Sequence, residues 1–273
     1  NLRRKISMKN GVNKMMLFKI SRKLLTAMAA GICCWSMTAH AAAPAVTVLS
    51  AGAVSDVMSK LATEFHDQTG RSITLSVGTV GALTDRIAAG ESADIVIVTS
   101  QAMAELVKQG KVAPDSVVEV GRVGVGVAIR EGDPVPDIST TESFKQTLLA
   151  AQSLVYADPA KGASSGIYFA TVLDRLGIAA AVKDKSILLP GGFVVELVAQ
   201  GKAEIGIHQI TEILPVKGVV LAGPLPPELQ KVTTYSAGIM TAAADPGSAG
   251  EFLRFVTSKD AAPSFTAAGF GRF

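Results

Sequence analysis

From Val46 onward the apolar residues switch repeatedly between two periods, short β-branched runs and segments in which apolar side chains recur every three or four positions. Val46–Ser50 predicts a strand. Val54–Thr69 predicts a helix with Val57, Met58, Leu61, Ala62 and Phe65 on one face, Ser55 as its N-cap and Gly70 as its stop. Ile73–Val77 and Asp94–Val98 predict the next strands; Gly81–Ala89 and Gln101–Gln109 predict helices closed by Gly90 and Gly110. Strands joined through helices require right-handed crossovers and a parallel sheet covered on both faces.

The same alternation fills the rest of the chain. Val123–Ile129, Ser153–Ala157, Ile187–Leu189, Ala203–His208, Val219–Ala222 and Thr234–Met240 predict strands. Ser143–Ala151, Ser164–Leu176, Phe193–Gln200 and Ser248–Thr257 predict helices, and the proline-bearing Glu131–Ile138 predicts a loop. The fold class is therefore α/β. No Gly/Ser-rich tether interrupts the pattern, so if there are two domains the chain passes between them inside strands.

Charge placement changes the picture. Residues 1–41 hold eight Lys and Arg and no acidic residue, which leaves 18 Lys and Arg against 23 Asp and Glu, a net of −5, for the remainder. An acidic body without a basic stripe argues against a nucleic-acid partner. Lys19, Arg22 and Lys23 precede the apolar run Leu24–Met37, and Ala39-His-Ala41 follows it. This is the pattern of a cleavable secretory signal over residues 1–41, too short for a membrane span of about 20 apolar residues. A soluble periplasmic body is expected. Both cysteines, Cys33 and Cys34, lie in that leader, so the body offers no disulfide or thiolate chemistry. His66 and His208 lack metal-ligand spacing, and neither a metal nor a cofactor is expected.

In open parallel sheets ligands gather beyond the carboxyl ends of strands. The residues there are small and polar: Gly52 and Ala53, Thr79 and Val80, Thr99, Ser164 and Ser165, Gly192, and finally His208 and Gln209. Small residues opening several helices bring backbone N–H groups and positive helix ends toward one point, which suits a small anion. Arg122 is a possible carboxylate partner.

Ser50-Ala-Gly-Ala-Val-Ser-Asp56, Val77-Gly-Thr-Val-Gly-Ala-Leu83, Arg86-Ile-Ala-Ala-Gly-Glu-Ser-Ala-Asp-Ile-Val-Ile97 and Glu196-Leu-Val-Ala-Gln-Gly-Lys-Ala-Glu-Ile-Gly-Ile207 together resemble the periplasmic molybdate-binding proteins of ABC importers. The resemblance runs from about Val46 to the C-terminus. It implies a two-lobed class II periplasmic-binding-protein fold with the ligand in the interlobe cleft, a small anionic solute, a partner permease and a monomer. It places lobe 1 at 44–122 and 209–273 and lobe 2 at 123–208.

The departures from that family matter. Where the resemblance implies two loop serines and a tyrosine as donors to a tetrahedral oxyanion, this chain has Ala53, Val80 and Gln209. Each donor lost to a charged ligand costs about 1.5–3 kcal/mol, so a carboxylate is favoured over molybdate. Asp158-Pro-Ala-Lys-Gly-Ala-Ser-Ser-Gly-Ile-Tyr168 and Gly206-Ile-His-Gln-Ile-Thr-Glu-Ile213 also resemble the periplasmic aconitate isomerases, enzymes of the same fold. Two functions follow from the resemblances. One is an anion receptor for an importer. The alternative is an isomerase moving an allylic proton between cis- and trans-aconitate, with His208 as the acid–base group and Glu212 as a poorer candidate.

Overall fold

The computed structural model describes residues 45–271. The leader expected over 1–41 lies outside them. Among the described residues no single helix is long and apolar enough to cross a membrane.

The chain forms β1 (Val46–Ala51), α1 (Gly52–Thr69), β2 (Ile73–Gly78), α2 (Val80–Ala88), β3 (Ile95–Thr99), α3 (Ser100–Lys108), β4 (Val118–Val123) and β5 (Val125–Arg130). Then come α4 (Thr141–Ala150), β6 (Leu154–Ala157), α5 (Ser164–Arg175), α6 (Ala179–Val182), β7 (Ser186–Leu189), α7 (Glu196–Ala199), β8 (Ile205–Gln209) and α8 (Ile210–Ile213). The chain closes with β9 (Val219–Pro224), β10 (Thr233–Ile239), α9 (Pro246–Val256) and α10 (Ala262–Ala267).

Two five-stranded sheets result, in the orders β2-β1-β3-β10-β4 and β7-β6-β8-β5-β9. Each has three parallel strands followed by an antiparallel fourth. The carboxyl ends of the parallel strands open onto helix N-termini, and this positions the site.

Helix α1 shows how the sequence builds a layer. Val54, Val57, Met58, Leu61 and Phe65 are buried against β1, β3 and β10 residues, and the Phe65 ring meets Phe252 of α9 edge-on at 5.3 Å. Burying one such aliphatic side chain contributes about 1.5–3 kcal/mol. Gly70 ends the helix at φ 72°, its N–H donating to the His66 carbonyl at 2.7 Å. The helix begins at Gly52, two residues before the position predicted from periodicity. Ser55 is therefore not the cap: its hydroxyl donates back to the Gly52 carbonyl inside the first turn.

Two further departures concern the central crossing. The strand expected at Val123–Ile129 is β5, and a strand that was not expected, β4, precedes it in the other sheet with Gly124 the one residue between them. The glycines of Gly121-Arg-Val-Gly-Val-Gly126 admit close neighbours; a β-carbon on Gly121 would lie 2.4 Å from the Phe270 ring. The return to the first sheet expected at His208–Gln209 is also displaced. Strand β9 pairs antiparallel with the outer side of β5, covering what would otherwise be an open edge, so residues 219–224 belong to the second sheet. The chain regains the first sheet along β10.

Helix α8 lies where the lobes meet. Ile210 is part of the core that holds α1 and β1, whereas Ile213 packs in the core under β5 and α7.

Candidate functional site

A cavity of about 900 Å³ is lined from both sheets. From the first come Gly52 and Ala53 at the start of α1, Thr79, Val80 and Gly81 at the start of α2, and Tyr235 from β10. From the second come the 159–163 turn, Ser164 and Ser165 at the start of α5, Gly191 and Gly192, His208 at the end of β8, and Glu212 on α8. Among the lining residues Lys161 is the one fixed cation and Asp85 and Glu212 are the carboxylates.

His208 and Glu212 form the polar floor. Both are buried, 2% and 7% exposed. His208 Nε2 lies 2.9 Å from the Gly192 carbonyl, which only accepts, so this nitrogen carries a hydrogen. Nδ1 lies 3.0 Å from Glu212 Oε2, 2.9 Å from the Gln209 backbone N–H and 3.3 Å from Ser165 Oγ. Neutral imidazole accepts the Gln209 N–H at Nδ1; imidazolium donates there to Glu212. Burial opposes the charged ring, but the adjacent Glu212 carboxylate and the Gly192 carbonyl outweigh it, so the His208 pKa stands above its ordinary value. The other carboxylate oxygen, Oε1, is turned toward α1, where a β-carbon on Gly52 would meet it at 2.6 Å. Glycine is needed there to admit the carboxylate beside the helix N-terminus.

Tyr235 is the residue that sequence reading missed. Its phenol meets Ser164 Oγ at 2.9 Å, a hydrogen bond from the first sheet to a helix of the second. Burial, then the Glu212 carboxylate, push its pKa up, so it stays a neutral donor. The one available signal was its place in the strand predicted over Thr234–Met240, but β-strand tyrosines are common core residues.

The other expectations divide. Gly52, Ala53, Thr79, Val80, Ser164, Ser165, Gly192 and His208 do line the cavity. Thr79 is already engaged: it caps α2, accepting from Ala82 N at 3.1 Å, and donates to the Lys161 carbonyl across the cleft. Thr99 does not line the cavity; its hydroxyl caps α3 by accepting from Ala102 N. Gln209 is 1% exposed and lies behind Ser164, its Nε2 3.4 Å from that hydroxyl, with its Oε1 lacking a partner. Arg122 is not a carboxylate clamp: it points outward and pairs with Glu119 at 2.9 Å. Arg86 pairs with Glu91 and bonds Ser76 Oγ at 2.8 Å. Among the described residues no cluster of three His, Cys, Asp or Glu is placed to hold a metal ion.

Two α/β lobes around a cleft lined by helix N-termini define a solute-binding protein architecture. The family model for bacterial extracellular solute-binding proteins matches residues 46–271, and the chain belongs to that family. Among curated proteins it is similar to an aconitate isomerase from a Pseudomonas species, 34% identical over 230 residues that cover 82% of this chain and 86% of that protein. Among solved structures it is similar to the periplasmic molybdate-binding protein of Azotobacter vinelandii (19% identity, TM-score 0.68, covering 82% of this chain and 98% of that one). It is also similar to the sulfate-binding protein SubI of Mycobacterium tuberculosis (20% identity, TM-score 0.67, 84% and 86% covered). At those identities the structures share the fold.

Proposed function

We propose that this chain is a periplasmic isomerase of aconitate, working on a solute-receptor fold. The observation that carries the reading is the buried His208–Glu212 pair on the cavity floor. A receptor that only captures anions gains nothing from a carboxylate at the N-terminus of α1, where it repels the ligand and cancels the helix dipole. An enzyme that removes a proton needs such a group. The similarity to an aconitate isomerase over most of the chain supports the same reading.

In this reading the substrate's carboxylates lie against the N-termini of α2 and α5, with Lys161 as a counter-charge. Glu212 Oε1 takes a proton from the methylene carbon. His208 holds Oε2 and is itself fixed through Nε2 to Gly192, so it orients the carboxylate rather than touching the substrate. The electron pair of the broken C–H bond spreads over the allyl system into a carboxylate. The proton returns at the far allylic carbon, and the double bond has moved. A positioned general base contributes about 10²–10⁴-fold to such a step. The roles of His208 and Glu212 are reversed from those read in the sequence, because both imidazole nitrogens are occupied by protein partners.

The second reading, an anion receptor delivering its solute to an ABC permease, is favoured by the family itself. One experiment separates them. The purified protein is incubated with trans-aconitate in deuterated water and followed by proton NMR. Appearance of cis-aconitate with deuterium at the allylic carbons, reduced 10²-fold or more in Glu212→Gln, supports the isomerase. Binding without conversion overturns it in favour of the receptor.

A further inference from the structure

Tyr235 and Ser164 each carry one O–H, and one hydrogen bond joins them. Whichever hydroxyl donates to the other, the second hydrogen is left over, and both side chains line the cavity. Ser164 Oγ also lies 3.4 Å from Gln209 Nε2, a donor, so Ser164 has lone-pair work to do and its hydrogen is the one best aimed at Tyr235 or the cavity. Tyr235 is fully buried in the core of the first lobe and is also part of the cavity lining. A phenol so fixed lines the same cavity as the Glu212 carboxylate, where proton removal would build negative charge.

Resting on the isomerase reading above, we propose that Tyr235 is a catalytic residue: its hydroxyl, clamped across the cleft by Ser164, donates to the substrate carboxylate next to the carbon that loses its proton. As Glu212 takes that proton, the C–H pair moves into the carboxylate and forms an enediolate. The Tyr235 hydrogen bond strengthens as charge grows on that oxygen, then relaxes when the pair returns to the far carbon and the proton is given back. No proton leaves Tyr235, so the balance needs no other reactant. The phenol suits this part because burial and Glu212 keep it protonated. A donor that strengthens only in the transition state raises turnover rather than ground-state affinity. A tyrosine on this strand also supplies the cleft hydroxyl that Gln209 does not, from a different element.

The test compares the full chain with Tyr235→Phe and Ser164→Ala, each checked for an unaltered melting curve. Removing an oxyanion donor lowers kcat by about 10²–10³, so Tyr235→Phe is expected to lose that factor on trans-aconitate while KM changes less than about threefold. Exchange of the substrate methylene protons with deuterated water falls in parallel, since the enediolate is what the phenol stabilises. Ser164→Ala, which frees the phenol but leaves it in place, loses about tenfold. Wild-type turnover with undiminished turnover and exchange in Tyr235→Phe overturns the assignment and leaves the isomerase standing. A rise in KM alone makes Tyr235 a binding residue and overturns it too. Binding of trans-aconitate by the wild type without turnover overturns the isomerase reading, and the enediolate role falls with it.

Discussion

The backbone N–H of Gly81, at the start of α2, donates to the carbonyl of Gly162 on the opposite lobe at 3.1 Å, and the two Cα positions are so near that a β-carbon on either would lie about 2.5–2.6 Å from the other. Thr79 reaches the neighbouring Lys161 carbonyl in the same place. Two lobes thus meet backbone to backbone at the rim of the cavity. Gly81→Ala is the informative change. Within a helix alanine is favoured over glycine by about 0.5–1 kcal/mol, so the melting temperature should hold or rise. The added methyl nevertheless forces the rims apart. Affinity for trans-aconitate should fall at least tenfold and the radius of gyration with ligand should exceed that of the wild type by X-ray scattering. Unchanged affinity would show that this meeting point does not bear on closure.

The His208–Glu212 pair gives a stability signature in pH. The folded His208 pKa is raised above 6.5, so the stabilisation is fully present below about 6.5 and is lost as pH rises through the higher folded value. Removing one member of a buried pair costs about 3 kcal/mol. The margin of the wild type over Glu212→Gln should therefore be largest near pH 6 and shrink toward pH 9. Denaturant melts across that range measure it. A margin that grows with pH has the wrong sign for a pair of this kind.

Asp94 belongs to the sequence motif that carries the family resemblance, but it is a staple. Its Oδ2 accepts from Thr47 N and Thr47 Oγ1, both at 2.8 Å, and its Oδ1 accepts from Ala244 N at 2.8 Å and Asp245 N at 3.0 Å. Burial works against the charge, but these donors prevail and hold the pKa below 3.8. Its contribution is present above that pH and lost as pH falls through the lower folded value. Asp94→Asn turns an NH₂ toward backbone donors and should cost about 2–4 kcal/mol at pH 7. The deficit should close only below pH 4, and isomerisation per folded molecule should not change.

Ligand choice is open to a direct comparison. With Ala53 and Val80 at the helix N-termini and Gln209 withdrawn behind Ser164, the three positions from which the resemblance implies hydroxyl donors to a tetrahedral oxyanion supply none. Trans-aconitate at about 100 times its Kd adds about 2.7 kcal/mol and should raise Tm by roughly 5–10 °C at the usual 2–4 °C per kcal/mol. Molybdate and sulfate should raise it by less than about 1 °C. Arg122→Ala should leave the carboxylate response untouched, since its guanidinium is turned to solvent on Glu119.

Most strands and long helices were legible because their burial alternates with a regular period: α1, α3, α5 and α9 fall within two residues of the ranges read from apolar spacing. What escaped was set by contacts remote in sequence. Strand β9 takes its place because β5 has a free edge. Four-residue α8 is shorter than the window in which a period can be counted. At the site, glycine-rich helix starts showed where an anion fits. The partner of His208 needed the i, i+4 turn of α8 to bring Glu212 alongside, and Tyr235 needed β10 to lie antiparallel beside β3. Arg122 misled because a lone cation near a crossover does not reveal the carboxylate three residues before it.

Helix α8 has its first side chain rooted in one lobe and its last in the other, and Glu212 rides between them. Swinging the lobes apart must pull on both roots. The 3.0 Å spacing of Glu212 from His208 is thereby tied to both lobes at once: neither wall of the cavity can shift against the other without loading the one short helix that carries the carboxylate.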